Sequence, residues 1–283
     1  MRLPDEMMRP LIREALAEDL AQGGDLTTMA TISPEEPGTA HLNARADGIA
    51  AGIDAAVLAF AMVDASLKVT QRIEDGQRFR AGDALLTVEG SAASLLTGER
   101  TALNLLTHLC GIAQLTDQYV QAVKGTKARI AATRKTLPGL RLLQKHAARC
   151  GGGMTHRMSL SDAVMIKDNH IVASGGLAQS VERAREFAGH TVKIEIEVDT
   201  LEQLREVLPA KPDIVLLDNM STDQLKEAVT IASGQTILEA SGGVTLETVR
   251  GIAETGVDVI SVGALTHSAP ALDIGMELSS PRR

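Results

Sequence analysis

Arg134, Lys135 and Arg141 fall within eight positions in "ATRKTLPGLR", residues 132–141. The glycine-rich stretch "GGGMTHR" then brings in His156 and Arg157, and Lys167 closes "DAVMIK". Cations gathered this way suit an anionic small molecule, because arginine grips a carboxylate through two parallel hydrogen bonds and lysine adds a point charge. Each charged hydrogen bond contributes about 1.5–3 kcal/mol, so several are needed to draw a small dianion out of water. Glu197 and Asp218 come from neighbouring apolar runs with no His or Cys beside them. Two such carboxylates suit Mg²⁺ bound partly through water. Ser241, Gly242, Gly243 and Gly263 close two further runs, and glycine there lets backbone N–H groups approach a phosphate at a helix N-terminus. The set reads as a site for an anionic ring, a metal-bound polyphosphate and a terminal phosphate.

These residues share one kind of position. After about residue 125, short apolar runs alternate with helical patterns: "ARIAAT" (128–133), "DAVMIK" (162–167), "VKIEIEV" (192–198), "DIVLLD" (213–218), "TILEAS" (236–241) and "DVISVG" (258–263). The last four start 21, 23 and 22 residues apart, about one βα unit with short loops. Thr200 with Gln203, and Ser221 with Gln224, have the spacing of capping boxes that open helices. Successive parallel strands with helical crossovers make an open sheet or a closed barrel, and the pattern favours a barrel. Every candidate just described then lies at the C-terminal end of a strand, the rim where barrel enzymes carry their sites. Asp162, Asp213 and Asp258, at the opposite ends, read as ordinary solvated starts. The face shared by Lys193, Glu195, Glu197 and Asp199 follows from strand alternation.

The first part of the chain has a different character. Residues 7–19 carry helical periodicity despite Pro10, and "GGDLTT" (23–28) reads as a turn. Residues 38–90 show short alternating runs separated by Gly-Asp turns, the pattern of β-hairpins. Lys68 lies inside a strand-like run, so a carrier module with a modified lysine at a hairpin tip is not expected. Residues 94–123 are helical in pattern.

Composition narrows the function. The chain has 283 residues, 28 basic against 36 acidic, and a net charge of −8. That balance argues against a general phosphate-backbone binder. Three Phe, one Tyr and no Trp leave no stacking platform for single-stranded nucleic acid. Cys110 and Cys150 form no CxxC pair, so neither a zinc site nor a disulfide framework is expected. No signal peptide and no membrane-spanning run are evident. A soluble cytoplasmic protein is expected.

"TRKTLPGLR", "RCGGGMTHRMSLSDAVMIKDNH", "LLDNMS", "LEASGGV" and "SVGALTHS", in that order, resemble the quinolinate phosphoribosyltransferases, also called carboxylating nicotinate-nucleotide pyrophosphorylases. The resemblance runs from "GDLTT" to "LDIGME". It implies a type II phosphoribosyltransferase-like α/β fold. An open N-terminal α/β sandwich (1–110) is followed by an incomplete barrel of about seven strands (111–267), with the tail 268–283 packing back on the first domain. It implies transfer of phosphoribosyl from phosphoribosyl pyrophosphate to quinolinate with loss of CO₂, in NAD biosynthesis. It places quinolinate against Arg134, His156, Arg157 and Lys167, and the donor against Lys135. Glu197 and Asp218 become the Mg²⁺ and ribose-pyrophosphate carboxylates, and Ser241, Gly242, Gly243 and Gly263 the 5′-phosphate cradle. Lys135, Glu197 and Asp218 are the catalytic candidates. Arg100 resembles an arginine that reaches a neighbouring subunit's site, so a homodimer or larger homo-oligomer is implied.

Cys110, Leu137 and Thr155 depart from the commoner family residues, but none is a charged group of the site. Two rival readings are a molybdenum-transport-associated paralogue with another substrate and a non-catalytic anion-binding barrel. The paralogue would be expected to lose part of the cationic set, and a pure anion binder gains nothing from Glu197 and Asp218. His41, His108, His146, His190 and His267 belong to no evident cluster, His170 is a weaker rim candidate, and Cys150 reads as an inert thiol.

Overall fold

A computed structural model describes residues 2–279 of the chain. It opens with helices α1 (Asp5–Leu20) and α2 (Leu26–Thr31), then β1 (Pro37–Ala44), β2 (Gly48–Ile49), α3 (Ile53–Val63), β3 (Lys68–Arg72), β4 (Arg78–Phe79), β5 (Ala84–Ser91) and α4 (Ala92–Ala122). Strands and helices alternate thereafter: β6 (Arg129–Ala132), α5 (Arg141–Cys150), β7 (Met154–Thr155), β8 (Val164–Ile166), α6 (Asp168–Ser174), α7 (Leu177–Phe187), β9 (Ile194–Val198) and α8 (Leu201–Val207). The last elements are β10 (Ile214–Asp218), α9 (Thr222–Ala232), β11 (Ile237–Ser241), α10 (Leu246–Ala253), β12 (Val259–Val262), α11 (Ala264–His267) and β13 (Ile274–Ser279). Among the described residues, no helix is long and apolar enough to cross a membrane.

The chain divides into two compact units. One comprises the residues up to Asp117, Leu137–Gly152 and the chain from Ser268 on; the other is Gln118–Thr136 with Gly153–His267. The expected boundary at 110/111 falls inside α4, a continuous helix of 31 residues. Residues 137–152 belong with the first unit, where Gln144 Nε2 lies 2.8 Å from His108 Nε2 and His146 Nε2 lies 2.7 Å from Asp75 Oδ2.

In the first unit, strict alternation along β1 buries Ala40, Leu42 and Ala44 and turns His41 and Asn43 away. Its antiparallel sheet has the order β13-β1-β5-β3, so the tail supplies an edge strand: Thr39 to Ala44 pair with Ser279 to Ile274. α1 buries Met8, Ile12 and Leu16, one every turn. Two readings of the sequence change here. "GGDLTT" is not simply a turn, because the Asp25 carboxylate accepts the Thr28 N–H at 3.0 Å and caps α2. The region 38–90 is not all hairpin, because "IDAAVLAFAMV" forms α3, an alanine-rich helix too buried to show an amphipathic period.

The second unit is a seven-stranded parallel sheet of order β7-β6-β12-β11-β10-β9-β8, curled as an incomplete barrel. The six runs read from the sequence are strands β6, β8, β9, β10, β11 and β12. The seventh, β7, is two residues inside "GGGMTHR", paired with Ala131 and Ala132 and too short to leave a period. Both capping boxes form: the side chains of Thr200 and Ser221 accept from Gln203 and Gln224 N–H. The strand-start aspartates do more than face solvent. Asp213 accepts the Ile194 N–H at 3.0 Å and Asp258 the Leu238 N–H at 2.9 Å, tying the starts of adjacent strands together.

Candidate active site

Eleven of the candidate residues line one cavity of about 480 Å³ at the C-terminal rim of the barrel strands: Thr133 to Lys135 follow β6, and Lys167 follows β8. Glu197 stands on β9, Asp218 ends β10, Ser241 ends β11, and Gly263 follows β12. Arg100 is the exception: it lies on α4, 61% exposed, with Glu99 3.9 Å away, and does not line the cavity. His170 does not line it either; its Nδ1 accepts the Lys167 N–H at 3.0 Å. Leu137 and Cys110 do not line it, and Thr155 forms part of β7.

The cationic wall is built from the sheet edge. Arg134 half-buries its guanidinium, and its Nε, shut off from solvent, has no hydrogen-bond partner. A buried donor without an acceptor is costly, so this nitrogen fits an anion seated against it. Burial, followed by the nearby Arg134 charge, lowers the Arg157 pKa. Two guanidiniums held that close favour an anion between them. Arg157 NH1 also donates to the Ala163 carbonyl at 2.9 Å, which fixes its direction.

The acidic wall faces it. Ligand atoms of Glu197, Asp199 and Asp218 lie within 4.8 Å of one another. Three hard oxygen donors fit Mg²⁺, and Asp199 joins the pair read from the sequence because it directly follows β9. Lys167 Nζ lies 2.7 Å from Glu197 Oε2, so a cation already stands at this wall. Asn219 holds left-handed backbone (φ 53°). Its side-chain amide donates to Asp218 Oδ2 at 2.6 Å, and its backbone N–H to the Ser241 carbonyl at 2.9 Å.

Three groups on the floor went unread. The interior of a barrel is ordinarily filled by branched apolar side chains, yet here Glu195 (1% exposed) and Glu239 (3%) point inward. His156 Nε2 lies 2.8 Å from Glu195 Oε2 and 3.8 Å from Glu239 Oε1. Its Nδ1 accepts the Arg157 backbone N–H at 2.8 Å. Both ring nitrogens are therefore engaged within the protein, and His156, which also lines the cavity, orients the loop carrying Arg157. Burial, then the Glu195 charge, push the Glu239 carboxyl up to about 7, against the pull of His156. In the sequence, Glu195 shows only as alternation with Glu197, and Glu239 only as a polar residue inside "TILEAS". His267, read as lying outside any cluster, lines the cavity beside Gly263.

A half-open parallel barrel whose rim sets guanidiniums against carboxylates, with a glycine-rich cradle to one side, defines a barrel-type phosphoribosyltransferase. Residues 25–110 match the family model described as quinolinate phosphoribosyl transferase, N-terminal domain, and residues 112–277 match that of the C-terminal domain. The chain belongs to this quinolinate phosphoribosyltransferase family. It is 47% identical over 275 residues to the carboxylating nicotinate-nucleotide pyrophosphorylase of Mycobacterium leprae, covering 95% of this chain and 96% of the relative. The probable carboxylating nicotinate-nucleotide pyrophosphorylase of Bacillus subtilis is 40% identical over 272 residues, covering 96% and 93%. The crystal structure of NadC from Streptococcus pyogenes superimposes with a TM-score of 0.95 at 38% identity over the whole of both chains.

Proposed function

We propose that this protein joins quinolinate to phosphoribosyl pyrophosphate and releases pyrophosphate and CO₂, giving nicotinate mononucleotide for NAD synthesis. The observation that carries the reading is one cavity lined both by Arg134, whose buried Nε has no acceptor, and by the Glu197 and Asp218 carboxylates. The family relatives bear the name of this activity. They do not support the transport-associated alternative.

Arg134, Arg157 and Lys167 hold the two carboxylates of quinolinate, turning an encounter into an intramolecular step. His156 keeps Arg157 in place from behind. The pyridine nitrogen attacks C1′ of the donor with its own lone pair, so no strong base is needed. The C1′–oxygen bond breaks and its electron pair leaves on pyrophosphate. Glu197 and Asp218 lie where positive charge develops at C1′, and Lys135 contacts the departing group. Glu197 and Asp218, with Asp199, would hold Mg²⁺, which supplies charge neutralisation for pyrophosphate. The ring nitrogen is then cationic. The adjacent carboxylate departs as CO₂, leaving an electron pair at the ring carbon that the cation stabilises until a proton replaces it. Ser241, Gly242, Gly243 and Gly263 cradle the 5′-phosphate.

The enzyme works as a cytoplasmic homodimer or larger assembly in which exposed Arg100 completes a neighbouring subunit's site. The deciding assay supplies purified protein with quinolinate, phosphoribosyl pyrophosphate and Mg²⁺, and runs nicotinate in parallel. Nicotinate mononucleotide and CO₂ from quinolinate alone support the reading. Product from nicotinate alone moves the cations from substrate to donor, and no product from either overturns the transferase.

A further inference from the structure

Within the first unit lies a second cluster of metal-ligating side chains that the transfer reaction does not use. His146 and Cys150 stand four residues apart on α5, so one helix face presents both. Asp75 comes from the turn between β3 and β4. His146 Nε2 is 2.7 Å from Asp75 Oδ2 and 3.5 Å from Cys150 Sγ, and the three ligand atoms lie within 4.8 Å of one another.

Three features decide what such a cluster is for. First, it is not an activated nucleophile. A relay needs the acid on one ring nitrogen and the thiol on the other, whereas here both face Nε2. Burial, and then the Asp75 charge, push the Cys150 thiol up to about 12. Second, the spacing suits a metal. Tetrahedral zinc, with Zn–N of about 2.0–2.1 Å and Zn–S of about 2.3 Å, sets nitrogen and sulfur roughly 3.5 Å apart; the Nε2–Sγ separation is 3.5 Å. The Nε2–Oδ2 distance of 2.7 Å is that of a hydrogen bond, and a cation replacing its proton would spread that pair to about 3.3 Å. Third, the carboxylate is already aimed. Asp75 accepts the Gly52 N–H at 3.1 Å and the Ile53 N–H at 3.0 Å, an outer shell of the kind that orients metal ligands. The His146 and Asp75 side chains are 4% and 8% exposed, while Cys150 is half-buried and leaves one side open. Cys110 is committed elsewhere, with its Sγ against the Ala51 backbone.

We propose that Asp75, His146 and Cys150 bind one borderline-soft divalent cation, of which Zn²⁺ is the type, with water completing the coordination. Mixed nitrogen, sulfur and oxygen donors select against Mg²⁺, so this site is chemically separate from the all-oxygen set at the barrel rim.

The test uses the full chain saturated with Mg²⁺ and titrated with Co²⁺ as the spectroscopic stand-in for Zn²⁺. One equivalent should bind with a thiolate-to-cobalt charge-transfer band that Zn²⁺ bleaches. An oxygen-only site gives no such band, so the barrel rim cannot imitate the result. Cys150→Ser should abolish the band, Cys110→Ser should keep it, and His146→Gln should weaken binding at least roughly tenfold. Quinolinate phosphoribosyl transfer by Cys150→Ser should be unchanged, which separates this site from the transferase reading. The absence of a thiolate band in the wild-type protein, its survival in Cys150→Ser, or unchanged affinity in His146→Gln each overturns the proposal.

Discussion

Asn219 and Gly242 are packed so closely that a Cβ added to Gly242 would sit 2.1 Å from Asn219 Oδ1, with Gly242 itself at φ +95°. The contact joins the phosphate cradle to the acidic wall, since Asn219 also holds Asp218. Gly242→Ala should therefore both strain the phosphate cradle and displace Asp218. A fall of roughly tenfold or more in kcat/KM for phosphoribosyl pyrophosphate is expected, larger than the change in KM for quinolinate. Asn219→Ala should shift the Mg²⁺ requirement upward. Normal donor kinetics in both variants would remove Asn219 from the account.

The cationic and acidic walls should separate kinetically. Arg134→Ala removes the buried donor aimed at a carboxylate, and losing two charged hydrogen bonds implies a KM for quinolinate raised roughly a hundredfold or more. Glu197→Ala should lower kcat far more than it alters quinolinate affinity, because its charge matters where C1′ becomes positive. Steady-state kinetics of the two variants against both substrates decide the assignment. Exchanged phenotypes would refute it.

Glu239 links the site to pH. Its folded pKa, about 7, lies above the ordinary 4.5, so the fold favours the protonated acid. The stability this contributes is complete below about 4.5 and is lost as pH rises towards 7. Glu239→Gln keeps the shape without the charge. Its melting temperature should match the wild type near pH 4 and exceed it at pH 8, by an amount on the order of 1–3 kcal/mol in stability. Parallel melting profiles across that range would count against the buried acid.

How much of this was legible depends on where each residue's signal lies. Six of the seven barrel strands announced themselves because each lies in a short apolar-rich run ending in chemistry, as in "DIVLLD" with Asp218 last. β7 and α3 did not: two residues carry no period, and a helix with apolar residues nearly all round has no polar face to count from. The rim cations and carboxylates read from the sequence line one cavity because strand ends converge in a barrel. Glu195, Glu239 and His267 were not singled out because their meaning comes from His156 and Gly263, which approach from other strands. The cluster around His146 was invisible for the same reason, since Asp75 stands 71 positions away in sequence.

Close packing of the tail gives a stability test independent of catalysis. A Cβ on Gly111, within α4, would lie 2.0 Å from the Pro270 carbonyl oxygen. Gly111→Ala should cost about 1–3 kcal/mol or more, the range for overpacking a rigid contact. Gly251→Ala is the control: on α10 its Cβ would meet only Thr222 Cγ2 at 3.8 Å, and alanine favours a helix by up to about 1 kcal/mol. Thermal melts should move in opposite directions. Equal shifts would mean that the tail yields to the intrusion.

The pairing of β1 with β13 also sets a timetable. Thr39 and Ser279, which pair at its end, stand 240 positions apart. A ribosome adding about 5–20 residues per second needs roughly 10–50 s to make the second after the first. For that interval the nascent sheet can hold β1, β5 and β3 but has nothing to lay along the open edge of β1, and an open edge is where one unfinished chain pairs with another. The last of the described strands to be synthesised therefore closes the first unit begun, and a ribosome stalled between Val262 and Ile274 leaves a protein with its barrel strands complete and its first sheet exposed.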